Sequence, residues 1–234
     1  KWDCIAALPT VLKKYNLNIL PDSRSSYVLG DFLLYKEIPE LQEEVFNMDY
    51  VEIPDYETID INNISSEAVA INVLVISGIL DDFLGVDGTV QTFSGRMGTG
   101  EFDFVVDTVR GNKQKIFVKN AQCEVVIMEA KNILNEEFHV RQLYFPYRLW
   151  RKKVTKPIRL IFSIYSNMIF RLFEYRFVEI NDYSSIELIK TKNYSLQDTT
   201  IDIEDLIEVR NNTKICYQDN QYDDLKVPFI QANS

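Results

Sequence analysis

Val125-Val-Ile-Met-Glu-Ala-Lys131 joins an unbroken apolar run to two opposite charges. Val125 to Met128 would be apolar on both faces of a strand, which predicts a central strand covered on both sides. Strand side chains repeat with period two, so Glu129 and Lys131 should emerge on one face. Charges closing such a strand are costly to desolvate unless paired or bound to a metal. The pair is therefore either a functional site or a structural ion pair at a strand end. Asp224-Leu-Lys226 has the same spacing, but no apolar run precedes it. Context separates the two.

Upstream lies Gly95-Arg-Met-Gly-Thr-Gly-Glu-Phe-Asp-Phe-Val-Val-Asp107. It reads as a glycine-rich loop entering a strand, Phe102 to Val106. Phe102, Phe104 and Val106 share one face, and Asp103 and Asp107 share the other. An acidic residue here and Glu-x-Lys on a nearby strand can hold a divalent cation. Either aspartate can serve. The 26 positions from Asp103 to Glu129 leave room for a further strand, Lys115-Ile-Phe-Val118, after the turn Arg110-Gly-Asn-Lys113. The glycines lack GxGxxG spacing and lead into a strand, which excludes a dinucleotide-binding turn.

The order Asp, then Glu-x-Lys, resembles the PD-(D/E)XK nuclease superfamily, and the wording is similar to type II restriction endonucleases. The phrases Gly95 to Phe104 and Arg141-Gln-Leu-Tyr-Phe-Pro-Tyr-Arg-Leu-Trp150 carry the likeness, which spans roughly residues 60 to 195. No proline precedes Asp103, a departure from the superfamily's name. The resemblance implies an α/β fold: a restriction-endonuclease-like core with a central mixed sheet flanked by helices. It implies Mg²⁺ on Asp103 and Glu129, with the Ala130 carbonyl as a further ligand. Lys131 would position or deprotonate the attacking water. Glu67 resembles the acidic residue that such nucleases often carry on the preceding helix, though a charge at a helix start explains it equally. Gln142 resembles the glutamine that follows Glu-x-Lys. Double-stranded DNA as substrate, and a homodimer cutting both strands, are implied in the same way.

Length and composition fit an intracellular enzyme. The chain has 234 residues, 46% hydrophobic and 12% aromatic, enough for one large domain or one with an appendage. It begins with Lys1 rather than Met, as expected of a fragment of a longer protein. No apolar stretch reaches the roughly 18 residues of a membrane span, and the opening residues carry no signal-peptide pattern. Cys4, Cys123 and Cys216 are widely spaced and make no zinc pattern, which suits free thiols in the cytoplasm. His139 is the single histidine, so paired-histidine nuclease chemistry is excluded; a lone surface histidine is expected to be incidental.

The net charge of −10 is unevenly spread. Arg141 to Arg159 holds seven basic residues and no acidic one: Arg141, Arg148, Arg151, Lys152, Lys153, Lys156 and Arg159. Gln197 to Asp224 carries eight acidic and two basic residues. A basic stripe on an acidic body suits a DNA groove, and a solvated helix end is the plainer reading. Arg96, Arg141 and Arg148 are the nearest candidates for reading base edges, with Arg151, Lys152 and Lys153 on phosphates. Tyr144, Tyr147 and Trp150 either pack on the sheet or contact DNA.

Three regions are expected: an N-terminal arm or subdomain (1–60), the core (61–195) and an acidic C-terminal segment (196–234). In the first, Ala6 to Leu12 reads as a short helix and Ser26 to Tyr35 as a strand or strand pair, with Gly30 at a bulge or turn. A long helix is expected from a Ser65 or Ser66 cap, apolar nearly all round over 68–80 and so buried. Asn135 to Arg151 reads as helical, with a kink or new start at Pro146. Ile158 to Tyr165 and Ile169 to Val178 form a hairpin about Ser166-Asn167, and the second mixes apolar and charged residues on both faces, as at a sheet edge. Competing functions are a nuclease fold that binds DNA or protein without cutting, and a structure-specific repair nuclease.

Overall fold

The computed structural model describes residues 4–21, 26–53, 57, 59–61, 64, 66–86, 88–97, 100–109, 124–132 and 136–197, with backbone only at 21, 88–97 and 100–109. The expected strand at Lys115–Val118 and the acidic tail lie outside these residues. All described elements fall in one compact unit, Lys1–Asp198.

The fold is mixed α/β. A seven-stranded sheet carries the order β4-β11-β10-β9-β7-β6-β5. Its strands are β4 (Asp49–Tyr50), β5 (Gly88–Met97), β6 (Gly100–Val109), β7 (Val125–Lys131), β9 (Ile158–Ser166), β10 (Ile169–Phe177) and β11 (Ile186–Ser195). β7 pairs with β9 and β4 with β11 in parallel, and the other neighbours are antiparallel. Helices α2 (Glu67–Ile76) and α3 (Ile79–Leu84) cover one face, where Val126, Met128 and Ala130 join their core. Helix α4 (Arg141–Arg151) covers the other, over Val125 and Ile127. β7 is thus covered on both sides, as its unbroken apolar run requires. No described helix is long and apolar enough to cross a membrane.

The first sixty residues are tied into this body. Short helical turns at Ile5–Ala7 and α1 (Thr10–Lys14) flank Pro9, where one helix was expected. β1 (Asn18–Pro21) and β2 (Tyr27–Gly30) form a separate hairpin. β3 (Tyr35–Glu37) pairs with β8 (Glu137–His139), and β4 joins the main sheet.

Several sequence expectations need correction. The long helix from residue 66 is two helices. Gly78 stands at φ +77°, and this left-handed residue breaks the run between α2 and α3. Nor is α2 buried all round, since Val69 and Ile76 are exposed. The helix expected from Asn135 begins at Arg141, because Glu137–His139 is drawn into strand pairing with β3. Pro146 neither restarts nor ends α4; it sits at the middle of the helix, where it removes one intrahelical hydrogen bond. The described parts of the glycine-rich segment, to Met97 and from Gly100, lie in the antiparallel pair β5 and β6 rather than in a loop. The β9–β10 turn is Asn167-Met168, both at positive φ, one residue later than expected.

β10 is interior, not an edge: it lies between β9 and β11. One of its charges, Glu174, is answered inside the protein instead of facing solvent, while Arg176 pairs with Glu187 at the surface. Glu174 takes two hydrogen bonds from Arg159, at 2.6 and 2.7 Å, and is 7% exposed.

Two stability predictions arise here. Ser66 caps α2, its Oγ accepting from the Val69 amide at 3.2 Å. Ser66→Ala should cost about 1 kcal/mol in urea unfolding, the usual loss at a capped helix start. Asp82 accepts from Lys192 (2.7 Å) and Tyr194 (2.6 Å), and these bonds hold its carboxyl below the ordinary 3.8. A depressed folded-state pKa means its stabilisation is present above 3.8 and is lost as pH falls below it. Wild type and Asp82→Asn should therefore differ in Tm at pH 6 and converge near pH 2, as read by thermal melts.

Candidate active site at the end of strand β7

The parallel β7–β9 connection runs through β8 and α4. It returns the chain over the sheet so that α4 starts beside the C-terminal end of β7, the edge where sites collect in such crossovers. Gln142, the second residue of α4, therefore meets Glu129. Gln142 Nε2 donates to Glu129 Oε1 at 2.7 Å. Lys131 Nζ lies 2.6 Å from the same oxygen and 3.1 Å from the Ala130 carbonyl. It also reaches Glu67 Oε1, at 3.4 Å, from the first turn of α2.

Glu129 and Lys131 share a face, as period two requires. Lys131, at the strand's end, bridges a carboxylate on the α4 side and one at the start of α2. Burial grades across the cluster. The Glu129 side chain is 8% exposed, Lys131 18% and Glu67 40%. Removing a carboxylate so far from water requires compensation, which the lysine and the amide supply. Gln142 Oε1 is buried and accepts no hydrogen bond from a described residue.

Backbone register distinguishes the two aspartates. β6 and β7 pair antiparallel from Asp107↔Val125 to Phe104↔Met128. The next positions along the two strands are Asp103 and Glu129. Asp107 pairs four residues back, about 13 Å from Glu129 along the strand. The aspartate side chains themselves are outside the described set. Among described residues, no three His, Cys, Asp or Glu side chains cluster to hold a metal. The donors gathered at the site (Glu129, Glu67 and the Ala130 carbonyl) are all oxygen, the type a hard divalent cation takes.

The residues expected to face DNA separate into groups. Arg96 lies on β5, paired with Glu101. Arg141 opens α4 and is half-buried; its amide donates to His139 Nδ1 at 3.2 Å. Tyr144 is not a surface contact. It is 5% exposed, packed against Phe177 and Tyr183, because an aromatic on the inner face of an amphipathic helix gains most by burial. Arg148 is spent on it, donating from Nη1 to Tyr144 Oη at 2.8 Å. Arg151, Lys152 and Lys153 are exposed at the far end of α4, about 14 Å from Gln142. Arg159 drops out of the basic stripe into the Glu174 pair. His139 is buried at 1% exposure beside Tyr35, not on the surface.

Sequence reading counted Arg159 in the basic stripe and gave Arg171 and Glu174 no partner. Charged residues inside the apolar strands β9 and β10 were the available signal, since such charges demand partners.

A mixed-sheet α/β domain with a compensated carboxylate–lysine–amide cluster at its central strand is the class that fold and geometry define. The chain belongs to the family described as domain of unknown function DUF6997, which matches residues 30–195. A second, domain of unknown function DUF6996, matches residues 1–29. No curated protein and no solved structure matches the chain.

Proposed function

We propose that this protein is a Mg²⁺-dependent DNA endonuclease of the PD-(D/E)XK type, acting as a sequence-specific restriction enzyme on double-stranded DNA. One observation carries the reading: Glu129, Lys131, Gln142 and Glu67 converge from three elements, with Asp103 at the adjoining register position. Asp103, Glu129 and the Ala130 carbonyl would hold the metal, with Glu67 beside them. When bound, Mg²⁺ supplies a Lewis acid and a coordinated water of lowered pKa.

The chain's own groups do the rest. Lys131 offers a cation to the scissile phosphate and a partner for the attacking water. Gln142 fixes the Glu129 carboxylate in one orientation, which limits reorganisation as charge develops. Exposed Arg151, Lys152 and Lys153 offer phosphate contacts further along a duplex. A homodimer suits cleavage of both strands at a two-fold site.

A second reading has its own support. Glu129 Oε1 is already satisfied by Lys131 and Gln142, as in a structural ion pair, and this favours a fold that binds DNA or a partner without cutting. Incubating supercoiled plasmid with the protein in Mg²⁺ or in EDTA separates the two. Discrete fragments with Mg²⁺ alone are expected. A smear would indicate nonspecific or structure-selective cutting, and intact plasmid alongside a retarded gel band would establish the binder instead.

A further inference from the structure

β10 carries a guanidinium where its neighbours are apolar. Arg171 is 8% exposed, on the α4 side of the sheet, with its guanidinium 5.3 Å from the Phe173 ring centre. One terminal nitrogen donates to the Pro39 carbonyl. Nε is buried with no acceptor among the described residues. No described carboxylate pairs with the guanidinium either. Burial alone pulls its pKa down. A buried cation left in this state calls for an anion.

Arg171 lines an open cavity of about 680 Å³, within the range of small-molecule sites. Glu37, Glu40, Glu136 and Glu137 stand around it, with Ile38 and Leu41 as apolar wall. Glu37, Glu40 and Glu136 are exposed, while Glu137 is half-buried and accepts from the Ile5 amide at 2.8 Å. The cavity is distinct from the β7 site. Lys131 and Arg171 both pair with Ile164, so one strand separates them, roughly 10 Å of backbone.

We propose that this cavity binds a small basic amino acid, its carboxylate on Arg171 and its cationic groups on the surrounding glutamates. The charges select that class. A nucleotide or other polyanion would meet four carboxylates before reaching the arginine. A diamine would satisfy the glutamates and leave Arg171 unanswered. A divalent cation has no cluster of three ligating side chains among the described residues. A ligand with an anionic end and a cationic end meets both demands, and Ile38 and Leu41 suit its aliphatic stem.

The test is calorimetric titration of the full chain, without DNA or metal, using L-lysine and L-arginine against cadaverine and agmatine, which lack the carboxylate. At least one amino acid should bind, its decarboxylated counterpart at least about tenfold more weakly. Arg171→Met should abolish binding with the far-UV spectrum retained. Should that variant unfold, Glu40→Gln/Glu136→Gln keeps the question open to measurement: both residues are exposed, so the fold should persist while affinity falls several-fold. No heat from either amino acid at about 10 mM, a binding amino acid matched in affinity by its decarboxylated counterpart, or full affinity in the double glutamine variant would each overturn the proposal. None of these variants touches Glu129, Lys131 or Gln142, so plasmid cleavage by them reports on the nuclease reading separately.

Discussion

Lys131→Ala should eliminate Mg²⁺-dependent plasmid cleavage, with a loss of at least about a hundredfold, equivalent to roughly 3 kcal/mol of transition-state stabilisation. Asp103→Asn should do the same. The lysine matters doubly, because under the proposed function its ammonium would serve the scissile phosphate, and it also compensates the Glu129 carboxylate at 2.6 Å. Its removal leaves Glu129 with the Gln142 amide and a mostly buried charge. A stability loss of about 1–3 kcal/mol is therefore expected alongside the catalytic one. Chemical unfolding separates the two effects: a variant that is folded by circular dichroism at assay temperature yet cuts nothing has lost chemistry. Retained cleavage in the folded Lys131 variant would remove Glu129-x-Lys131 from the active site, and retained cleavage in the folded Asp103 variant would remove Asp103 from it.

The second large effect concerns stability alone. Glu174→Ala should destabilise the protein by about 3–5 kcal/mol in denaturant titration, the usual result of stripping one partner from a buried ion pair. Arg159 is the reason. Burial opposes its charge, but the hydrogen bonds and charge of Glu174, aided by Glu124, outweigh that and raise its pKa. Without Glu174 the guanidinium keeps its cost and loses its main compensation. Replacing both residues, as Arg159→Met/Glu174→Leu, should recover much of the loss. Recovery should stop short of wild type, because Arg159 Nη1 also donates to the Leu84 carbonyl at 2.7 Å, at the end of α3. A Glu174→Ala variant within about 1 kcal/mol of wild type would show the pair contributes little.

What the sequence disclosed about this molecule followed from local periodicity. Val125 to Lys131 was legible because an apolar run with period-two charges has few alternatives, and the placement of Glu129 and Lys131 on one face came with it. The Ser66 cap was legible for the same reason: its signal is complete within four residues. Features set by distant pairing were not. Glu137–His139 looks helical alone and becomes a strand only because Tyr35–Glu37 lies alongside. β10 looked like an edge because Arg171 and Glu174 sit among apolar residues, and nothing local shows that Arg159 will answer Glu174. The break at Gly78 was masked by apolar residues on both sides, which keep the periodic pattern running through it. Gln142 was found by resemblance, but its contact with Glu129 follows from the β7–α4–β9 crossover. Tyr144 was placed among the DNA contacts although packing on the sheet was the alternative, and the helix's inner face claims the ring.

The strand pairings of the first sixty residues bear on how the molecule comes apart. β3 lies along β8, and β4 extends the sheet beyond β11, while Leu34, Ile38 and Met48 are all buried. Trimming the chain to residue 61 onward would strip the partner from the strand that leads into α4, and with it the anchor of Gln142. Proteolytic nicking near residue 60 should therefore loosen the far end of β7 before the rest of the sheet. These sixty residues serve as a brace, and the contact between Gln142 and Glu129 on a distant strand depends on their staying in place.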